Sequence, residues 1–177
     1  MMEQVFLDLP NDMHRELWAH LVPEASALEE VAFVYARAEH NGGSVIFHAI
    51  EWEAVPPEGF IYQTEVGFEL TDEMRGSVIK RAHNLDASLV EFHSHTGHWP
   101  AMFSPSDRYG FSQFVPHVWW RLKGRPYAAV IVTRSDFDGF AWVTSADSTQ
   151  RLDGIVIGEQ ITQPTRLSSL ILDIYDE

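Results

Sequence analysis

The chain has 177 residues, 45% apolar and 21% charged, a composition that suits one globular domain and excludes a disordered chain. Twelve basic against 26 acidic residues give a formal net charge of −14, which argues against nucleic acid and anionic membranes as partners; such a field favours a basic protein or peptide, although it also serves solubility alone. No cysteine is present, so thiol nucleophiles are excluded and any metal site must be built from His, Asp or Glu.

In chain order, "VFLDL" reads as a first strand and "PNDMHRELWAHLV" as a helix capped by Asn11 or Asp12. The acids of "MMEQVFLDLPND" stand where a secretory signal carries basic residues and a long apolar core, and no segment approaches ~18 uninterrupted apolar residues, so the expectation is a cytoplasmic protein. "EEVAFVYARA" and "SVIFHAIEWEAV", joined by "HNGG", form a predicted hairpin. "PPEGF" breaks the pattern before a short strand around "VGFEL", and Thr71 caps a predicted helix over "TDEMRGSVIKRAHNL" with Met74, Val78 and Ile79 inward. "ASLVEFHSH" is a strand, "SPSDRYGFSQFVPHVWWRL" a helix interrupted at Pro116, and "YAAVIVTRSDFDGFAWVTS" a second hairpin turning near Asp136 to Gly139. "SDFDG" lacks the remaining acids of a calcium loop and is read as part of that turn. The tail "RLSSLILDIYDE" reads as a final strand or short helix. Strands and helices mix without a strict βαβ repeat, so the class is α+β or a mixed-sheet α/β domain.

The chemistry concentrates in "VEFHSHTGHWPAMFSPSD", residues 90–107. Alternate side chains of a strand share a face, so His93 and His95 can approach one ion. A catalytic zinc site commonly has three protein ligands and an open position, and the third must come from outside this strand. Asp107 lies twelve residues past His95 at the start of a predicted helix, with Ser104 three residues before it, and the intervening loop has room to turn back. His-x-His alone is often incidental and Ser-x-x-Asp alone is a helix cap, but their ordered combination argues for a site. Such a site also needs a general base, and Glu29 or Glu30 at the mouth of the early strand supplies a carboxylate. His98 reads as a loop spectator or a substrate contact. His83 and His117 read as ordinary helix histidines, and Trp119 and Trp120 as core with one possible partner contact.

A glutamate on an early strand, then His-Ser-His, then Ser-x-x-Asp resembles the JAB1/MPN/Mov34 (JAMM) zinc metallopeptidases, especially their bacterial members, over roughly residues 5–145. The resemblance implies a single α+β MPN/JAMM-like domain over 1–177, with a mixed curved sheet flanked by helices and a C-terminal extension at 146–177. It also implies Zn2+ held by His93, His95 and Asp107, Ser104 as oxyanion support, and an upstream glutamate as proton shuttle. The pattern Glu-x-x-Gly-x-x-x-Gly fits best with Glu29 as the shuttle and Ala32 and Ala36 in the small positions; Glu30 is the competing position. Two features depart from the family. Eight residues separate His95 from Ser104 where seven are usual, and Thr96 stands where proline commonly follows the second histidine. One extra loop residue costs little in closure entropy, so the site survives if the Ser-Pro-Ser-Asp end keeps its place.

The implied activity is zinc-dependent cleavage after the C-terminus of a ubiquitin-like modifier, in deconjugation or precursor processing, with E1- and E2-like proteins as pathway partners in bacterial antiphage defence. Two alternatives accompany it: a peptidase that trims a sulfur-carrier protein, and a non-catalytic MPN scaffold.

Overall fold

The protein is described here over residues 2–170 by a computed structural model. Its elements are β1 (Gln4–Leu9), α1 (Asn11–Leu21), β2 (Val31–His40), β3 (Ser44–Ala54), a 3-10 turn (Pro57–Gly59), β4 (Phe60–Gln63), β5 (Phe68–Leu70), α2 (Asp72–Asn84), β6 (Ser88–Ser94), α3 (Pro105–Arg121), β7 (Tyr127–Val132), β8 (Phe137–Trp142), β9 (Thr149–Arg151), β10 (Gly154–Ile157) and β11 (Gln160–Thr162). Nine strands form one mixed sheet in the order β11-β10-β1-β3-β2-β6-β7-β8-β9, and β4 and β5 form a separate antiparallel ribbon. The β1–β3, β1–β10 and β6–β7 pairs are parallel and the other pairs of the sheet antiparallel.

The sheet is curled. Only Leu152 and Asp153 separate β9, at one end of the strand order, from β10, near the other. Leu152 N donates to Gly139 O on β8 at 2.8 Å, and Asp153 N donates to Val5 O on β1 at 2.7 Å, so these two residues bridge the ends. Alternation along the strands divides the core. Val31, Phe33, Tyr35, Leu89 and Ile131 pack with α2 and α3, whereas Ala32, Val34, Val90 and Val130 pack with Leu17 and Leu21 of α1.

Local chemistry accounts for the helix that carries the site and for its neighbour. In α2 the Thr71 hydroxyl accepts from Met74 N at 3.1 Å, and Met74, Val78, Ile79 and Ala82 bury one stripe. In α3, Ser104 and Asp107 form a reciprocal capping box. Among the described residues no helix is long and apolar enough to cross a membrane.

Several local expectations are corrected. Helix α1 begins at Asn11 after Pro10, and neither Asn11 nor Asp12 caps it; Asp12 instead pairs with Arg15 at 2.7 Å. Helix α3 runs through Pro116 without a break. Pro116 and Ser112, four residues earlier, are both exposed, so water can satisfy the carbonyl that loses its helical donor. The second hairpin turns at Thr133 to Asp136, not at Asp136 to Gly139. Gly139 serves a close approach: a Cβ there would lie 2.8 Å from Leu152 Cδ2. The segment 146–177 is not merely an extension, because it supplies β9, β10 and β11. Of the predicted tail element, residues 167–170 are helical, and 171–177 lie outside the described residues.

Candidate metal centre

The site forms where β2, β6 and the start of α3 converge. Strands β2 and β6 are antiparallel with Val31 opposite His93, a register that carries Glu29 toward His95. Ser94 N donates to Glu30 O at 3.0 Å and Glu30 N to Ser94 Oγ at 2.9 Å, holding the start of β2 to the end of β6. Alternation then sends the two glutamates to opposite sides. The Glu29 carboxylate is buried, 3.8 Å from His95 Nε2, whereas that of Glu30 lies 3.9 Å from His20 Nε2 on α1. The backbone of Glu29 is clasped by the ribbon: its N–H donates to Thr64 O at 2.9 Å, and Gln63 Nε2 donates to its carbonyl at 2.8 Å.

His93 Nε2 lies 3.2 Å from Asp107 Oδ1, and His95 Nε2 lies 3.2 Å from Asp107 Oδ2. One ligand atom from each of the three residues lies within 4.8 Å of the others, and this group can hold a metal ion. Neighbouring ligands of a tetrahedral zinc with bonds near 2.1 Å sit ~3.4 Å apart, close to the two His–Asp separations of 3.2 Å. The fit is supported by an anomaly in the core. His93 is 1% exposed, and neither of its ring nitrogens has a hydrogen-bond partner; its approach to Asp107 is close but lacks hydrogen-bond geometry. Each unsatisfied buried polar group costs about 1–3 kcal/mol, and a cation on Nε2 removes one such deficit. Phe68 and Phe103 flank the ring, with centroids 5.4 and 5.8 Å away.

Asp107 is positioned twice over. Ser104 N donates to its Oδ2 at 2.8 Å, and its own N–H donates to Ser104 Oγ at 3.1 Å. Ser104 Oγ acts as the acceptor in that bond, which leaves its hydroxyl proton free to donate elsewhere. The loop before it is held from the C-terminal side. Ala101 N donates to Asp136 Oδ1 at 2.9 Å, Thr165 Oγ1 donates to Ala101 O at 2.7 Å, and Phe103 N donates to the buried Ser168 Oγ at 2.9 Å. Ser168 N in turn donates to the buried Asp138 at 2.8 Å. Residues 96–100 are exposed, so that part of the loop lies in solvent, whereas Ala101 and Phe103 are buried and tethered.

Burial is the largest influence on Glu29 and raises its pKa; the nearby histidines oppose it and Asp107 adds to it. Burial alone would raise Asp107, but His93, His95 and the Ser104 N–H hold it far below the carboxylate range. Burial alone would lower His93, yet Asp107, with Glu91 and Glu29, leaves its pKa raised. The sign for the metal-free protein follows. The His93 contribution is complete below the ordinary histidine value near 6.5 and is lost as pH rises through the raised folded value; that of Asp107 is present above ~3.9 and lost only in strong acid. A metal must displace the imidazole proton, so its stabilising effect grows as that contribution fades. The gap in Tm between zinc-loaded and chelator-stripped protein is therefore expected to be wider at pH 8 than at pH 6. A gap that narrows with rising pH would contradict the ligand set.

A cavity of about 320 Å³ adjoins His93, and a more open basin adjoins His95. Glu29 and Ser104 line both, at the saddle between them. Exposed His98 and Trp99 border the basin. His83 and His117 are exposed and outside the centre; Trp119 is half-buried and packs against the main core, whereas Trp120 is 74% exposed, so only one of the pair joins the core. The structure thus brings together Glu29, His93, His95, Ser104 and Asp107 and leaves Glu30 outside. Sequence reasoning missed Glu91, a buried carboxylate that lines the cavity and accepts from Tyr127 Oη at 2.7 Å. Its signal was available, since it lies two residues before His93 on the same strand face. No protein-family model and no curated protein matches the chain.

Proposed function

We propose that the protein is a zinc-dependent peptidase of the JAMM kind that cleaves after the C-terminus of a ubiquitin-like modifier, by deconjugation or precursor processing, in a cytoplasmic bacterial pathway with E1- and E2-like partners. The observation that carries the reading is the buried Glu29 carboxylate 3.8 Å from His95 Nε2, beside a three-residue group able to hold a metal. His93, His95 and Asp107 would hold zinc, which in such a site supplies Lewis acidity, polarising a carbonyl and making water a nucleophile near neutral pH. Glu29 takes the proton of the attacking water and returns it to the leaving amine; its raised pKa suits a group that must carry that proton between steps. The free Ser104 hydroxyl proton points to oxyanion stabilisation as the carbonyl oxygen gains charge. The clasp from Thr64 and Gln63 positions Glu29 without entering the chemistry.

The substrate class rests on the resemblance and is tested by a panel of fusions in which ubiquitin-like modifiers, sulfur-carrier proteins and unrelated tails precede a reporter. Cleavage after a modifier's terminal glycine, abolished by chelator and restored by zinc, is expected. Restriction of cleavage to sulfur-carrier fusions would move the reading to that substrate, and tight partner binding with no cleavage and no metal would support a scaffold instead.

A further inference from the structure

One residue far along the chain holds Ser104 and Asp107 from both flanks. Ser168 is fully buried; its Oγ accepts from Phe103 N at 2.9 Å, directly before Ser104, and its carbonyl accepts from Arg108 Nη2 at 2.5 Å, directly after Asp107. Thr165 Oγ1 adds a third tether by donating to Ala101 O at 2.7 Å. Between the buried rings of Phe103 and Phe111 the chain is exposed or only partly buried, so polar tethers fix its path there.

Segment 165–168 is itself anchored to β8. Thr165 N donates to Phe137 O at 2.9 Å, and the buried Asp138 carboxylate accepts from Arg166 N at 3.2 Å and from Ser168 N at 2.8 Å, so carboxylate and segment stabilise each other. Arg166 stands at φ 65°, a left-handed conformation that disfavours residues other than glycine, and the chain turns there to return Ser168 N to Asp138.

We infer that Ser168 is a positioning residue for the metal centre. Through Phe103 and Arg108 it fixes the turn from Ser104 to Asp107 against the histidines of β6, so docking of 165–168 and binding of metal strengthen each other. The inference rests on the metal centre proposed above. Its reciprocity is thermodynamic: a contact that raises metal affinity is stabilised by the metal to the same extent.

The test measures zinc affinity by competition with a chromophoric chelator in folded wild-type, Ser168→Ala and Val45→Ala protein. Ser168→Ala is expected to bind zinc about 10- to 100-fold more weakly, the range for losing a group that orients metal ligands. Val45 is fully buried in the core on the α1 side, so Val45→Ala is expected to lower Tm and leave zinc affinity unchanged. Thr165→Val, which removes the tether to Ala101 at a partly buried position, is expected to weaken zinc in the same direction and decides the matter if Ser168→Ala does not fold. In wild-type protein, zinc is expected to slow amide exchange at Arg166 and Ser168 by more than it slows exchange in α1. Folded Ser168→Ala or Thr165→Val protein that binds zinc as tightly as wild type overturns the inference and leaves the metal centre standing. An equal loss of affinity in Val45→Ala, or exchange at Arg166 and Ser168 that zinc does not slow beyond that of α1, overturns it likewise. Wild-type protein that binds no zinc overturns the metal-centre reading and this inference with it.

Discussion

Glu29→Gln is expected to lower metal-dependent hydrolysis by about 10²- to 10⁴-fold while zinc stays bound at the wild-type stoichiometry. The substitution keeps the shape of the side chain and its backbone clasp to Thr64 and Gln63, and removes only the capacity to accept and return a proton. Glu30→Gln is the matched control, because its carboxylate faces His20 on the other side of the strand. Steady-state kinetics with parallel metal analysis separates the outcomes. Equal losses in both variants would mean that neither carboxylate acts specifically, and loss of zinc from Glu29→Gln would make it part of the ligand set.

Phe103→Ala is expected to cost about 3–5 kcal/mol of stability, among the largest effects available to a single substitution in this chain. The ring is 1% exposed, stacks on Phe140 with centroids 5.1 Å apart, and meets Phe111 edge-on at 5.0 Å and His93 at 5.8 Å. It therefore joins the main core to His93 of the candidate metal-binding group, while its backbone N–H holds the loop to Ser168. Denaturant unfolding checks the magnitude. A cost below about 1 kcal/mol would show that the loop carrying Ser104 and Asp107 is not supported by this packing.

Parts of this centre were legible in the sequence because each rests on a local rule. Period-two alternation puts His93 and His95 on one face of β6, and the Ser-x-x-Asp spacing that reads as a cap does form a capping box, turning Asp107 back toward the strand. The choice between Glu29 and Glu30 could not be local. Adjacent residues of an extended chain point opposite ways, and only the β2–β6 register, a long-range property, decides which meets His95.

Other elements were obscured by their own chemistry. Strand β4 has four residues directly after a proline-rich turn, too few for a periodic signal, yet the loop that follows it clasps Glu29. Strands β9 to β11, of three or four residues each, were absorbed into an expected extension for the same reason. The Asp-Gly of "SDFDG" reads as a turn, but Asp138 is a buried acceptor for Ser168 N and Gly139 a point of close approach to Leu152. Both roles come from segments distant in sequence, which no local pattern encodes.

The central claim is that His93, His95 and Asp107 form a metal centre, and the most direct test is zinc per chain in purified wild-type protein and in Asp107→Ala, each supplied with zinc and confirmed to be folded. The expected result is close to one zinc per wild-type chain and its near-complete loss in the variant. Folded wild-type protein that takes up no metal, or an Asp107→Ala protein that binds it as well as wild type, would contradict the account.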